Sequence, residues 1–341
     1  MTKSPIISAV ILAAGQGTRM RSNLPKVLHS LSGRPLIQYS LDAVDELTTN
    51  PPVVVVGHGA EIVKQAIGSA ARFVTQQPQL GTAHAVMTAE TLLKLEADYV
   101  IVTYADMPLI RPETLRQLAE AQLANDGPVT MLTGFAEDPR GFGRVERGPD
   151  DSVQAIVEEA VATQMQLAIH ELNLGIYCFK AAWLWTALKR VKVSPRGEYY
   201  LTDVVAIARE DGLKVQAIVL KDFSETIGIN TRVHLAEAEA LLKQRINRQW
   251  MEFGVSIIDP ASTYISPGVR IGRDSTIGPN THLRGETVIG EETTIGPNCI
   301  IEDTLIGNHC TILASVIEKA VVEDHVSIGP FAHLRKGAHL M

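Results

Sequence analysis

Arg19 and Lys26 stand in a segment otherwise made of small residues and glycines: Leu12-Ala13-Ala14-Gly15-Gln16-Gly17-Thr18-Arg19-Met20, closed by Leu24-Pro25-Lys26-Val27-Leu28. Small residues let backbone N–H groups approach a nucleotide, and two cations can neutralise its phosphates. The segment is not a Walker loop, because no Gly-Lys-Ser/Thr follows, and it lacks the third glycine of the dinucleotide fingerprint. For a bare glycine pair, the plainer reading is a tight strand-to-helix turn with two solvated basic residues. Asp106 follows the apolar run Tyr99 to Tyr104, which sets a carboxylate at a strand's carboxyl end. Magnesium takes such hard oxygen ligands, and needs few from the protein when phosphates and waters supply the rest. Asn230 can add a second oxygen. The plainer readings are a turn-forming Asp before Pro108 and an Asn helix cap. Gln76, Gly81 and Thr82 can read a base edge with an amide, an N–H and a hydroxyl, or be a polar loop and a cap.

These residues need a scaffold. Short β-branched runs alternate with helical patterns at Ile6 to Leu12, Leu36 to Leu47, Val53 to Val56, Ala60 to Ile67 and Tyr99 to Tyr104. That rhythm predicts an α/β, doubly wound, Rossmann-like domain with a mostly parallel sheet. Such sheets bind ligands at the carboxyl ends of their strands, which directs attention to the residues after Leu12 and Val102. The apolar run Ile6 to Ala14 passes straight into the glycine segment without a cleavage region, so it reads as a first strand and not a signal peptide. From Thr231 to Phe253 the pattern turns helical, with Leu235, Leu242 and Ile246 on one side.

Beyond that helix an aliphatic residue recurs at every sixth position: Ile265, Ile271, Ile277, Leu283, Ile289, Ile295 and Ile301. The phase slips at Ile306-Gly307 and resumes through Val322, Ile328, Leu334 and Leu340. A six-residue period predicts a parallel β-helix, each short strand sending one aliphatic residue inward. It resembles the left-handed hexapeptide-repeat β-helix, which implies about three hexapeptides per coil and side-by-side packing as a trimer. The end at Met341, one residue past Leu340, is read as an interrupted solenoid.

The formal net charge of −7, with both signs interspersed, argues against nucleic-acid or anionic-membrane partners, which need a basic face. No apolar stretch approaches the roughly 18 residues of a membrane helix. Cys178, Cys299 and Cys310 are odd in number and lack ligand spacing, so they read as small buried residues in a reduced, cytoplasmic protein. The histidines form no metal set; His282, His309, His325, His333 and His339 fall on separate solenoid steps.

Several further segments occur in order: Gln76-Gln77-Pro78-Gln79-Leu80-Gly81-Thr82-Ala83-His84-Ala85, Tyr104-Ala105-Asp106-Met107-Pro108-Leu109, Gly141-Phe142-Gly143-Arg144, Gly197-Glu198-Tyr199-Tyr200-Leu201-Thr202-Asp203 and Gly228-Ile229-Asn230. With the glycine segment, the series resembles the sugar-1-phosphate nucleotidyltransferases. Among them it is most similar to the bacterial bifunctional N-acetylglucosamine-1-phosphate uridyltransferases and glucosamine-1-phosphate acetyltransferases. The resemblance implies a nucleotidyltransferase that joins UTP to N-acetylglucosamine 1-phosphate, giving UDP-N-acetylglucosamine and pyrophosphate. It implies Mg²⁺ held by Asp106 and Asn230, with Arg19, Lys26 and Asp106 as catalytic groups. Leu12, Ala13, Ala14, Gly15, Gln76, Gly81 and Thr82 would bind the nucleotide. Tyr104, Ala105, Gly143, Glu158, Asn173, Tyr199 and Thr202 would bind the sugar. The domains would be 1–230 for transfer, 231–253 for a connecting helix and 254–341 for a partial β-helix. The coils that carry acetyl transfer in the family are expected to be absent; Arg335 matches one acceptor-site position but cannot make that site alone.

Three positions depart from the family pattern around the sugar: Ala105 for glycine, Glu158-Glu159-Ala160 for a run ending in lysine, and Leu174 for threonine. They are compatible with a related enzyme that uses another sugar phosphate or nucleotide. A hexapeptide-repeat acyltransferase and a non-catalytic nucleotide-binding scaffold are also compatible with the pattern.

Overall fold

The computed structural model describes residues 5–139 and 141–341. The chain divides into two compact units. The first comprises the residues up to His234 except Ser30–Arg34, and the second comprises Ser30–Arg34 with Leu235–Met341. Ser30–Arg34, expected in the first domain, groups with the second because the Ser32 N–H and hydroxyl both donate to the Glu239 carboxylate.

The first unit is built on a nine-stranded sheet. Its strands are β1 (Ile7–Ala13), β2 (Val53–Val56), β3 (Arg72–Thr75), β4 (Tyr99–Tyr104), β5 (Val129–Phe135), β6 (Gly143–Arg147), β7 (Val153–Val157), β8 (Glu171–Lys180) and β9 (Val215–Val219). The main path runs β9-β5-β8-β4-β1-β2-β3, with β6 and β7 added as an antiparallel pair on β8. Successive residues feed opposite faces: Val10 and Leu12 enter one core, Ala9 and Ile11 the other. That two-sided burial is why the strands read as continuous apolar runs. Helices Leu36–Asp45, Ala60–Ile67 and Pro112–Ala124 contribute to one core, and Thr82–Thr88, Ala181–Leu188 and Asp203–Glu210 to the other.

β1, β2, β3 and β4 are parallel neighbours in register, with Leu12 opposite Tyr104 and Ala13 opposite Val56. Their carboxyl ends therefore stop at one line, and Ala14, Gln76 and Asp106 leave the sheet together. β8 runs against β4 and β5. The sheet is mostly parallel along its main path, as expected, with β8 as the reversed strand, and the reversal brings the start of β8, at Asn173, to the edge where β4 ends.

The second unit contains most of the helix Arg232–Phe253, followed by three five-stranded parallel sheets. Each sheet stacks a strand on its equivalent one coil later, as in Tyr264 on His282 and His282 on Ile300. This is a left-handed parallel β-helix, with Ile265, Ile271, Ile277, Leu283, Ile289, Ile295 and Ile301 all buried in its interior. Moving each from water contributes roughly 1.5–3 kcal/mol. A second buried column, two residues ahead of the aliphatic one, holds Thr281, Thr287, Thr293, Cys299, Thr304 and Cys310. Cys299 and Cys310 thus fill positions that threonine fills elsewhere, and like Cys178 they are unpaired and buried. The phase slip is absorbed at corners: Ile300–Glu302 turns at Asp303, where φ is 47°. Ile289 still pairs with Ile306 and Ile306 with Val322, so the inner ladder continues. Among the described residues, no helix is long and apolar enough to cross a membrane.

Candidate active site

A cavity of about 730 Å³ opens at the carboxyl edge of the first unit's sheet. At one end lie Leu12, Ala13, Ala14 and Gly15, at the exit of β1. Gly17 has φ 64°, and a Cβ there would meet the Cβ of Lys26 at 2.7 Å. A glycine is therefore needed both for the turn and for the lysine stem packed against it.

The Lys26 ammonium donates to the carboxylate of Asp106 and, at 3.1 Å, to Oδ1 of Asn230. The side chains of Lys26 and Asp106 are only 11% and 19% exposed. The backbones of the two acceptors are tied as well, since the N–H of Ile229 donates to the carbonyl of Asp106 at 2.8 Å. Thr231, not Asn230, caps the following helix, its hydroxyl accepting from the N–H of His234. The capping role is thereby taken by the neighbour of Asn230. A carboxylate oxygen and an amide oxygen thus converge on one cation, a donor set suited to a hard divalent ion. Among the described residues no group of three or more His, Cys, Asp or Glu side chains gathers to hold a metal.

Gln76 is buried and its Nε2 donates to the carbonyl of Gly81 at 2.9 Å and lies 3.1 Å from Nδ1 of His84. Its amide oxygen is left to accept. The Thr82 hydroxyl accepts from the N–H of Leu201 at 3.0 Å, so Thr82 is the first helical residue and braces the Tyr200-Leu201 segment, while Gly81 holds the cap position.

At the other end are Tyr104, Gly143, Glu158, Asn173 and Thr202. The Thr202 hydroxyl donates to Glu158 at 2.9 Å. Burial raises the Glu158 carboxyl above its ordinary range, the Thr202 hydrogen bond opposes that, and Asp203 and Glu198 add to the rise. Burial likewise pushes the Tyr104 phenol upward, so it stays protonated. Of the departures from the family pattern, Leu174 lies on the cavity wall, Glu159 pairs with the buried guanidinium of Arg144 at 3.1 Å, and Ala160 is exposed.

Three residues expected at the site do not line the cavity. Arg19 is exposed on the single turn Thr18–Met20, whose core-facing position is taken by Met20. Ala105 is wholly buried in one core, with its N–H on the carbonyl of Leu12. Tyr199 packs on the other core while its neighbour Tyr200 reaches the cavity. Sequence reasoning also missed Gln79, which donates to the carbonyl of Ala14, and Tyr177 beside Asn173. Gln79 carried a signal in its motif; Tyr177 carried only its two-residue spacing from Gly175.

The sheet gathers Lys26, Asp106 and Asn230 in a cavity at its carboxyl edge, and residues 9–172 match the MobA-like NTP transferase domain family, which makes the chain a nucleotidyltransferase. The chain is 46% identical to the "Bifunctional protein GlmU" of Shouchella clausii over 97% of its own length and 73% of that protein's. It is 47% identical to that of a Geobacillus strain, over 97% and 72%. It belongs to the bifunctional GlmU family, and it is a sugar-phosphate nucleotidyltransferase. Two solved structures share the fold of the first unit. One is a Bacillus anthracis protein described as a glucose-1-phosphate thymidylyltransferase, with a TM-score of 0.56 and 20% identity over 69% of this chain and 94% of that one. The other is a UDP-glucose pyrophosphorylase with UDP-glucose, with a TM-score of 0.57 and 18% identity over 70% and 99%.

Proposed function

We propose that the chain transfers the uridylyl group of UTP to N-acetylglucosamine 1-phosphate, forming UDP-N-acetylglucosamine and releasing pyrophosphate. The observation that carries this reading is one cavity holding the Lys26, Asp106 and Asn230 cluster together with Gln76 and the Glu158–Thr202 and Asn173 groups. Gln76 spends its N–H groups on Gly81 and His84, so its oxygen accepts from the base. Uracil presents an N–H between two carbonyls, whereas cytosine presents an unprotonated ring nitrogen there, which favours uridine.

Mg²⁺ is the proposed ion, held by Asp106 and Asn230. When bound it neutralises phosphate oxygens and so lessens repulsion between two anionic substrates. Lys26 supplies positive charge where the α-phosphate must approach, and Arg19, exposed on the turn after Gly15, is assigned the departing pyrophosphate. A phosphate oxygen of the sugar attacks the α-phosphorus in line, the bond to the β-phosphate oxygen breaks, and that oxygen leaves with the pyrophosphate. The attacking oxygen is already ionised near neutral pH, so no protein base has to take a proton. Glu158, Asn173 and Thr202 orient the sugar so that its phosphate faces this point.

The functional modules are proposed as 1–230, 231–253 and 254–341. A side-by-side homotrimer through the solenoid is proposed, supported by the exposed apolar residues Val288, Leu305 and Val321 on one of its sheets. A cytoplasmic setting without nucleic-acid or membrane partners is proposed too. Leu174 on the cavity wall favours, as second reading, a different sugar 1-phosphate. Pyrophosphate release across a panel of sugar 1-phosphates and nucleotides, with and without Mg²⁺, tests both. Fastest turnover of UTP with the N-acetylated sugar, lost on chelation, is expected; preference for another pair would sink the first reading.

A further inference from the structure

The sugar end of the cavity holds an amide whose orientation is set from beneath. In β8 the register against β5 breaks between Asn173, opposite Thr133, and Tyr177, opposite Met131. Gly175, inside the break, has φ 75°, and a Cβ there would meet the Tyr104 ring at 2.9 Å. The irregularity folds the strand so that Asn173 and Tyr177 meet. The Tyr177 hydroxyl lies 3.0 Å from Oδ1 of Asn173, and the N–H of Gly175 donates to the same oxygen at 3.2 Å. A backbone N–H can only donate, so the atom facing Gly175 has to be the amide oxygen. Burial keeps the Tyr177 phenol protonated, and its ring is stacked on Phe179 at 5.3 Å between centroids. With Oδ1 engaged twice, Asn173 offers the cavity its NH₂ group.

We propose that Tyr177 is a positioning residue that makes Asn173 a donor-only group, and thereby selects an acylamino sugar phosphate over one carrying a free amine. This rests on the reading of Asn173 as a sugar contact. A carbonyl oxygen of an N-acyl group accepts from Nδ2, whereas an ammonium group has only donors to place against it. Glu158, whose carboxyl accepts from the Thr202 hydroxyl, keeps further oxygen acceptor capacity that suits the hydroxyls. The two groups together read a sugar that carries one carbonyl among its hydroxyls. Sites that match hydrogen bonds discriminate most strongly against ligands that leave a polar group unpaired.

The test compares kcat/KM for N-acetylglucosamine 1-phosphate and glucosamine 1-phosphate, with UTP, in the unaltered protein, Tyr177→Phe and Asn173→Asp. Tyr177→Phe keeps the ring and removes the hydroxyl. It should lower the N-acetyl to amino ratio by about tenfold through a higher KM for the N-acetylated sugar, with kcat and the KM for UTP within about twofold. Asn173→Asp turns the donor into an acceptor and should lower the ratio further. A merely structural role would shift kcat, both sugar KM values and the melting temperature together. An unchanged ratio in a folded Tyr177→Phe overturns the proposal, and so does an unchanged ratio in Asn173→Asp, which keeps a test available if Tyr177→Phe folds poorly. Failure of the underlying functional reading is seen separately, as absence of UTP-dependent turnover of the N-acetylated sugar by the unaltered protein.

Discussion

Lys26 meets Asp106 and Asn230 across 80 and 204 residues of sequence, whereas in the second unit Tyr264 pairs with His282 and His282 with Ile300, always one coil away. The first arrangement gathers polar groups that stabilise little by themselves and are worth having only for a ligand. The second gathers aliphatic groups that are worth having only for stability. Lesions in the two units should therefore separate into losses of rate and losses of folding free energy.

The sharpest attempt to break that separation is Asp106→Ala. Losing the carboxylate of the cluster should lower metal-dependent kcat about a thousandfold while circular dichroism shows the fold retained. Near-normal turnover would detach this cluster from the chemistry. Lys26→Ala should lower kcat about a hundredfold, with uridine nucleotide affinity measured by titration calorimetry little changed. A drop confined to affinity would make Lys26 a binding group instead.

On the solenoid side, Ile295→Ala removes a side chain with no exposure at all, and should cost about 2–5 kcal/mol in chemical denaturation, with kcat unaltered well below the melting temperature. A variant that melts normally but turns over slowly would erase the contrast. The smallest expected effect comes from Glu158→Gln, which sits on the border between the two behaviours. Because the folded protein holds the Glu158 proton more tightly than the unfolded chain does, its ionisation opposes folding as pH rises from the ordinary carboxylate range through the raised value. The glutamine variant should therefore melt a few degrees higher than the parent at neutral pH, and this gain should vanish in acid, below the ordinary range. Its KM for the sugar phosphate should rise several-fold. Equal melting curves at both pH values would show that burial costs this carboxylate nothing.

The solenoid was nearly complete in the sequence. Its period is one residue type recurring at one spacing, and a coil needs only its neighbours to be satisfied, so local pattern and tertiary structure coincide. The first strands and the segment carrying Lys26 were legible for a related reason: glycines at a strand exit and paired apolar runs have few other uses. The site was legible only as an inventory. Residue type and position pointed to Asp106 and Asn230, and the family resemblance supplied the roles of Gln76, Glu158 and Asn173, while nothing local distinguished Tyr199, which packs inward, from Tyr200, which faces the cavity.

What the sequence by itself determined is the set of elements and the chemistry that their side chains can offer, because those follow from periodicity and functional groups. Tertiary structure alone decided which groups share a charge and which way they point. The reversed direction of β8, the register break that lays Tyr177 against Asn173, and the Ile229 bond to the Asp106 backbone depend on pairings between segments far apart in the chain. Such pairings are chosen by the packing of the whole sheet, and no single stretch of residues encodes them.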